Sequence, residues 1–240
     1  MKILDDLLTT LREGEVVVDI RQGPFQTAVL TRNCGLAATP HEYGNHQDSA
    51  PVKGAGTLVG KEALEIARMA YSSSLFEAAI GMAAINSLLE VNEARCVELN
   101  AGDLLAEKGK GKVVALVGHF PFVGELRQRA KELRVLERSP REGDLAEAEV
   151  ENTIPQADVV GITGTAFTNH TVENLLRLCR PEAYVVILGG TAPMSPVLFD
   201  YGVDAISGTR VINPETVLRH VSQGATFCQI RGVKLLTMTE

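Results

Sequence analysis

Beyond residue 112 the chain alternates short β-branched apolar runs with helical stretches, and this regularity restricts the fold more than any other feature. Strands are expected at 113–117, 135–137, 158–163, 184–188 and 205–206, and helices at 122–132, 144–152, 171–179, 195–201 and 214–222. Continuous apolar strands separated by helices are buried on both faces. They therefore specify a parallel sheet wrapped by helices, with right-handed crossovers.

The first part of the chain follows a different pattern. Ile3, Leu4, Leu7, Leu8 and Leu11 have helical spacing, 15–20 and 26–31 read as strands around a Gln22-Gly23-Pro24 turn, and a third strand runs through 35–39. A polar, glycine-, proline- and asparagine-bearing loop follows at 40–57, then helices at 61–71 and 74–91. Strands first and helices afterwards indicate an α+β domain. The charged run Ala106-Glu107-Lys108-Gly109-Lys110-Gly111-Lys112 reads as a connector. The expected division is thus an α+β domain over 1–105 and an α/β domain over 106–240, with the tail at 233–238 free to add an edge strand to either.

A formal charge of -7 and a pI near 5.4 exclude a general nucleic-acid or membrane-surface binder, which needs a basic patch. No apolar run approaches the roughly 20 residues that span a bilayer, and the charged amphipathic start points to the cytoplasm. The four cysteines, Cys34, Cys96, Cys179 and Cys228, are too scattered for a disulfide framework or a cysteine-only zinc site.

In an open parallel sheet, ligands bind beyond the carboxyl ends of the strands where strand order reverses. The first strand of the second domain ends in Gly118-His119-Phe120-Pro121, and for an order of 2-1-3-4-5 its neighbour across the switch ends in Thr163-Gly164-Thr165. Further ends carry Gly189-Gly190-Thr191 and Ser207-Gly208-Thr209. Glycine lets backbone approach a ligand and threonine supplies a hydroxyl, although the same residues serve ordinary turns and caps. The segment Ala157–Thr171 is the sharpest instance, because an apolar strand, a polar turn and a new helix would present unpaired backbone N–H groups. Asn169 is expected there as a helix N-cap whose amide faces the strand ends, with His170 beside it.

The G-x-G-x-x-G fingerprint is missing, although Glu137 lies where an acid could grip a ribose. His119 suits proton transfer, metal ligation or anion binding. No Ser-His-Asp order or G-x-S-x-G elbow appears. A loose set, Cys34, His41, Glu42, His46 and Asp48, has metal-ligating side chains without a standard zinc spacing. Asn86 interrupts the apolar stripe Leu75, Ala79, Met82, Leu89, so it needs polar partners.

Five motifs, EAAIGMAAINSLL at 77–89, GHFPF at 118–122, ERSPREGD at 137–144, TGTAFTNHT at 163–171 and GGTAPMSPVLFDYG at 189–202, occur in order over nearly the whole chain. Together they resemble a prokaryotic family of heavy-metal chelation proteins. The resemblance implies an enolase N-terminal-like domain followed by a Rossmann-like domain, with the ligand in the cleft between them. It also implies binding of a metal ion or a metal-complexed small molecule, although no compact His/Cys cluster falls in the motifs.

The expected function is therefore binding of a small polar, anionic or heteroaromatic ligand. Gly118, His119, Phe120 and Pro121 would form one wall, and Thr163, Gly164, Thr165 and Asn169 would donate hydrogen bonds. Gly189, Gly190 and Thr191 would complete an anion cradle, Glu137 or Asp144 would read a polar edge or cation, and Asn86 would face the site. The rivals are a transferase or oxidoreductase with a nucleotide-type cofactor and a pocketless partner-binding subunit. The thin 74–91 helix and the tail strand would suit a homodimer.

Overall fold

The structure is a computed structural model that describes residues 1–40 and 52–240. His41, Glu42, His46 and Asp48 of the loose metal-ligand set lie outside the described residues. The chain opens with helix α1 (Lys2–Thr9), whose Ile3, Leu4, Leu7 and Leu8 are buried as their spacing requires. Strands β1 (Asp19–Gln22), β2 (Gln26–Leu30) and β3 (Cys34–Ala38) form an antiparallel sheet in the order β1-β2-β3. Helix α2 (Ala63–Ala67) continues as a 3-10 turn through Tyr71.

Helix α3 (Leu75–Leu88) starts at Ser74, whose hydroxyl accepts the Glu77 N–H. It is apolar on every side, and such a helix is stable only when enclosed. It packs against β2 and β3 on one side and against the larger half of the molecule on the other.

The second sheet has eight strands. In chain order they are β4 (Cys96–Val97), β5 (Val113–Val117), β6 (Glu132–Glu137), β7 (Leu145–Ala146), β8 (Val159–Thr163), β9 (Tyr184–Leu188), β10 (Ala205–Val211) and β11 (Val233–Thr239). The helices among them are α4 (Ala101–Lys108), α5 (Val123–Arg129), α6 (Val150–Thr153), α7 (Thr165–Thr168), α8 (Val172–Leu178) and α9 (Pro214–Ser222). The order is β4-β11-β10-β9-β8-β5-β6-β7, parallel from β10 to β7 and antiparallel through β11 and β4. For the five strands read from the sequence this is the order 2-1-3-4-5, so β5 and β8 flank the reversal.

Alternation along these strands feeds two cores. Val114, Leu116, Val159, Val186 and Leu188 pack under α4 and α5, while Ala115, Val160, Ile162, Val185 and Ile187 join the core that contains α3. This second core also takes in Ile3, Leu4 and Leu7 of α1, so apolar packing is continuous between the two sheets. The far face of the small sheet is covered by Val217, Leu218 and Val221 of α9.

Three sequence expectations change. The presumed connector at 106–112 is the end of α4 and a turn into β5, with Leu105 and Ala106 buried. Residues 144–152 form β7, a 3-10 turn and the single turn of α6 rather than one helix. The tail strand is not an edge: β11 lies between β10 and the two-residue β4. No described helix is long and apolar enough to cross a membrane.

Candidate functional site

Two adjoining cavities open where the parallel strands end, and they share His119, Phe120, Thr163 and Thr165. The first, about 440 Å³, lies over β5, β6 and β8 and is lined by His119, Glu137, Thr163, Thr165 and Asn169 among others. The second, about 550 Å³, lies over β5, β8, β9 and β10 and is mostly apolar. Phe120, Phe122 and Phe227 contribute rings to it, and Gln26 and Ala38 reach it from the small sheet. Phe120 and Phe122 stack with centroids 5.2 Å apart.

The corner after β5 is shaped by Gly118, whose φ of 99° an L side chain rarely adopts. It swings His119 into reach of the β6 end. The His119 N–H donates to Glu137 Oε2 at 2.9 Å, and the Arg138 N–H donates to Glu137 Oε1 at 2.8 Å. Glu137 therefore lines the first cavity with both carboxylate oxygens already accepting from backbone. His119 Nδ1 lies 2.8 Å from Asp144 Oδ2, which also accepts the Arg141 N–H at 3.1 Å. The Asp144 side chain is only 1% exposed, and its buried Oδ1 has no hydrogen-bond partner among the described residues. Asp144 thus reaches the cavities through His119.

The corner after β8 differs from the expected N–H cradle. The Gly164 N–H donates to the Leu188 carbonyl at 2.7 Å and the Thr165 N–H to Thr163 Oγ1 at 3.3 Å. What remains for a ligand is the pair of hydroxyls, 3.0 Å apart, on Thr163 and Thr165. Gly164 is needed for close packing, since a Cβ there would lie 2.3 Å from the Ala192 nitrogen. Asn169 is not an N-cap but closes the C-terminus of the single-turn α7. Its Oδ1 accepts from Thr171 N–H and Oγ1, and its Nδ2 makes no hydrogen bond among the described residues. His170, at φ 62°, is tied through Nε2 to the Ala70 carbonyl, 2.7 Å away.

The corner after β9 splits. Gly189, Gly190 and Thr191 line the second cavity, as does Pro121 from the β5 corner. Thr191 is only 2% exposed, and its Oγ1 accepts the Ala38 N–H at 2.9 Å, so its hydroxyl also fastens the small sheet. Asn86 belongs with it. The Asn86 Nδ2 donates to the Leu36 and Thr191 carbonyls at 2.9 and 3.1 Å, and Asn86 lines neither cavity. Ser207, Gly208 and Thr209 are not a strand end, because β10 continues to Val211 against β11.

Sequence reading missed Gln26, Phe227 and Cys228 around the second cavity, and Arg138, Glu147 and Asn174 around the first. Gln26 carried a signal: it is a polar residue, 6% exposed, at the head of a mostly buried strand, and its Oε1 has no partner among the described residues. Thr209 Oγ1 is likewise buried without a partner among them.

A bare metal ion does not suit these residues, since no three His, Cys, Asp or Glu side chains converge among those described. Burial pushes the Cys34 and Cys179 thiols up to about 12, so neither supplies a thiolate at neutral pH.

Comparison with known proteins agrees with the fold. A crystal structure of a protein of unknown function from the DUF364 family of Desulfitobacterium hafniense superposes with a TM-score of 0.86 at 27% identity, covering 100% of this chain and 97% of that one. One from Pyrococcus horikoshii, of the same family, gives 0.81 at 20% identity, covering 100% and 98%. An uncharacterized protein of Methanocaldococcus jannaschii is 26% identical over 95% of this chain and 91% of its own length. Residues 4–89 match the DUF4213 family and residues 100–238 match DUF364, both described as "Putative heavy-metal chelation". With more than half of its length matched, and with the eight-stranded sheet and strand-end corners in place, the chain belongs to the DUF364 family.

Proposed function

We propose that the joined cavities bind a small anionic heteroaromatic ligand, alone or as its metal complex. The single observation that carries this reading is the contact between a polar cavity and an aromatic one through His119, Phe120, Thr163 and Thr165. Rings of Phe120, Phe122 and Phe227 suit a flat apolar face. The Thr163 and Thr165 hydroxyls and Asn169 Nδ2 suit charged or carbonyl oxygens at its edge. A metal matching the family description would arrive held by that ligand, since the described residues supply no ligand set of their own.

Native mass spectrometry with elemental analysis of the purified full chain tests the reading. The expected result is an organic mass on the wild-type protein, with or without metal, that disappears in the double variant Phe120→Ala, Thr165→Val. Wild-type protein at its bare mass with background metal, even after incubation with aromatic carboxylic and hydroxy acids, removes the proposal.

A further inference from the structure

We propose that His119 is a proton acceptor for the bound ligand, taking the proton of an acidic enol, phenol, thiol or ring N–H onto Nε2. The proposal rests on the cavities being a ligand site and adds a chemical step to it.

The tautomer follows from Asp144. Its Oδ2 accepts the Arg141 N–H at 3.1 Å and lies 2.8 Å from His119 Nδ1. An oxygen that accepts from a backbone N–H and is also paired with Nδ1 belongs to a carboxylate, so Nδ1 carries the imidazole proton. The lone pair is then on Nε2. That nitrogen makes no hydrogen bond among the described residues, while the His119 side chain is 20% exposed and lines both cavities.

Asp144 is buried against the ring, its Oδ1 without a partner among the described residues, so a ring that takes up a proton faces a carboxylate. Glu137 at the end of β6, Glu147 beyond β7 and Arg138 also line this region. The Arg138 guanidinium is itself 3.4 Å from Glu147. Backbone anchoring holds the ring in place through the His119 N–H to Glu137 bond. The step balances simply: the X–H bond of the ligand breaks, an N–H bond forms at Nε2, and the electron pair stays on X. No redox partner is involved, and the proton leaves to water from the exposed edge of the ring. The ligand class is set by acidity, because transfer is effective when donor and imidazolium have similar pKa values.

The test reads the ring in the full-length protein. Nitrogen-15 NMR of the histidine side chains should show His119 as the Nδ1–H tautomer, with His119→Gln assigning the signals. Diethyl pyrocarbonate should acylate Nε2 of His119 with a rate that follows ring deprotonation. In Asp144→Asn the rate should fall tenfold or more, because a neutral amide no longer holds the proton on Nδ1. A wild-type Nε2–H tautomer, acylation at Nδ1, or equal rates in both proteins would overturn the proposal. Should Asp144→Asn not fold, the wild-type ring shifts and the acylated position decide by themselves. An empty protein in the mass measurement leaves these ring readouts unaffected, so the two proposals fail separately.

Discussion

The corners after β8 and β9 are spelled almost alike, Thr163-Gly164-Thr165 and Gly189-Gly190-Thr191, yet their threonine hydroxyls are bonded differently. After β8 the threonine hydroxyls pair with each other and with the Thr165 N–H of their own corner, and Thr163 and Thr165 line both cavities. After β9 the threonine hydroxyl is buried and holds Ala38 of the small sheet, while Asn86 holds the Thr191 carbonyl. The two corners also touch, with Gly164 packed on the Thr191–Ala192 backbone. Composition alone does not tell a cradle from a rivet; what decides is whether a distant backbone group has claimed the side chain.

The largest expected effect comes from prising the corners apart. Gly164→Ala places a Cβ against the Ala192 nitrogen and should cost about 3 kcal/mol, read as a lower midpoint in thermal or urea unfolding. An unchanged midpoint would mean that the corners do not lean on each other. Next comes the contrast itself. Thr191→Val strips the acceptor from the Ala38 N–H and Asn86→Leu strips the donor from two carbonyls, so each should lose about 1–3 kcal/mol of stability. Thr165→Val should instead stay within about 1 kcal/mol of wild type, since only a hydroxyl–hydroxyl bond goes, while ligand capture falls. If Thr191→Val abolished capture at unchanged stability, the assignment of the two corners would be reversed.

The smallest effect lies at the opposite end of β8, where neither corner should respond. Asp158 accepts the Val113 N–H at 2.9 Å and pairs with Arg180 at 2.8 Å, and these contacts hold its carboxyl below the usual range. Its stabilisation is therefore complete above the ordinary aspartate pKa of about 3.9 and is lost as pH falls through the lowered folded value. Asp158→Asn should weaken the fold slightly at neutral pH and flatten the acid limb of stability against pH, with ligand capture unchanged. A steeper acid limb in the variant would contradict this sign.

The sheet was legible because its signal is local. Val113–Val117, Val159–Thr163 and Tyr184–Leu188 are continuous apolar runs, and the punctuation between them gives the crossovers. The place of the site followed from the strand order. What escaped depends on partners far along the chain. Gly208 reads as a strand end until β11 pairs across from it, with Gly208 opposite Leu236. The charged glycine run at 106–112 reads as a connector because its lysines hide the burial of Leu105 and Ala106. Asn86 was recognised as needing partners, but those partners are carbonyls 50 and 105 residues away. Phe227 sits in a turn with no periodicity to announce it, and only the folded chain brings it over the β9 end.

The position of β11 bears on the time course of folding. Cys96–Val97 finds its sheet partner only in Val233–Thr239, as does the outer side of β10. At ordinary rates of translation, on the order of ten seconds separates the synthesis of these segments. From the completion of β10 until β11 follows, about 1–4 s at the usual 5–20 residues per second, the flank of β10 is an unfilled berth, offering N–H and C=O groups to any extended peptide nearby. A chain cut short before Val233 would thus carry a sticky side, and arrival of the β11 segment is what renders that side inert to its neighbours.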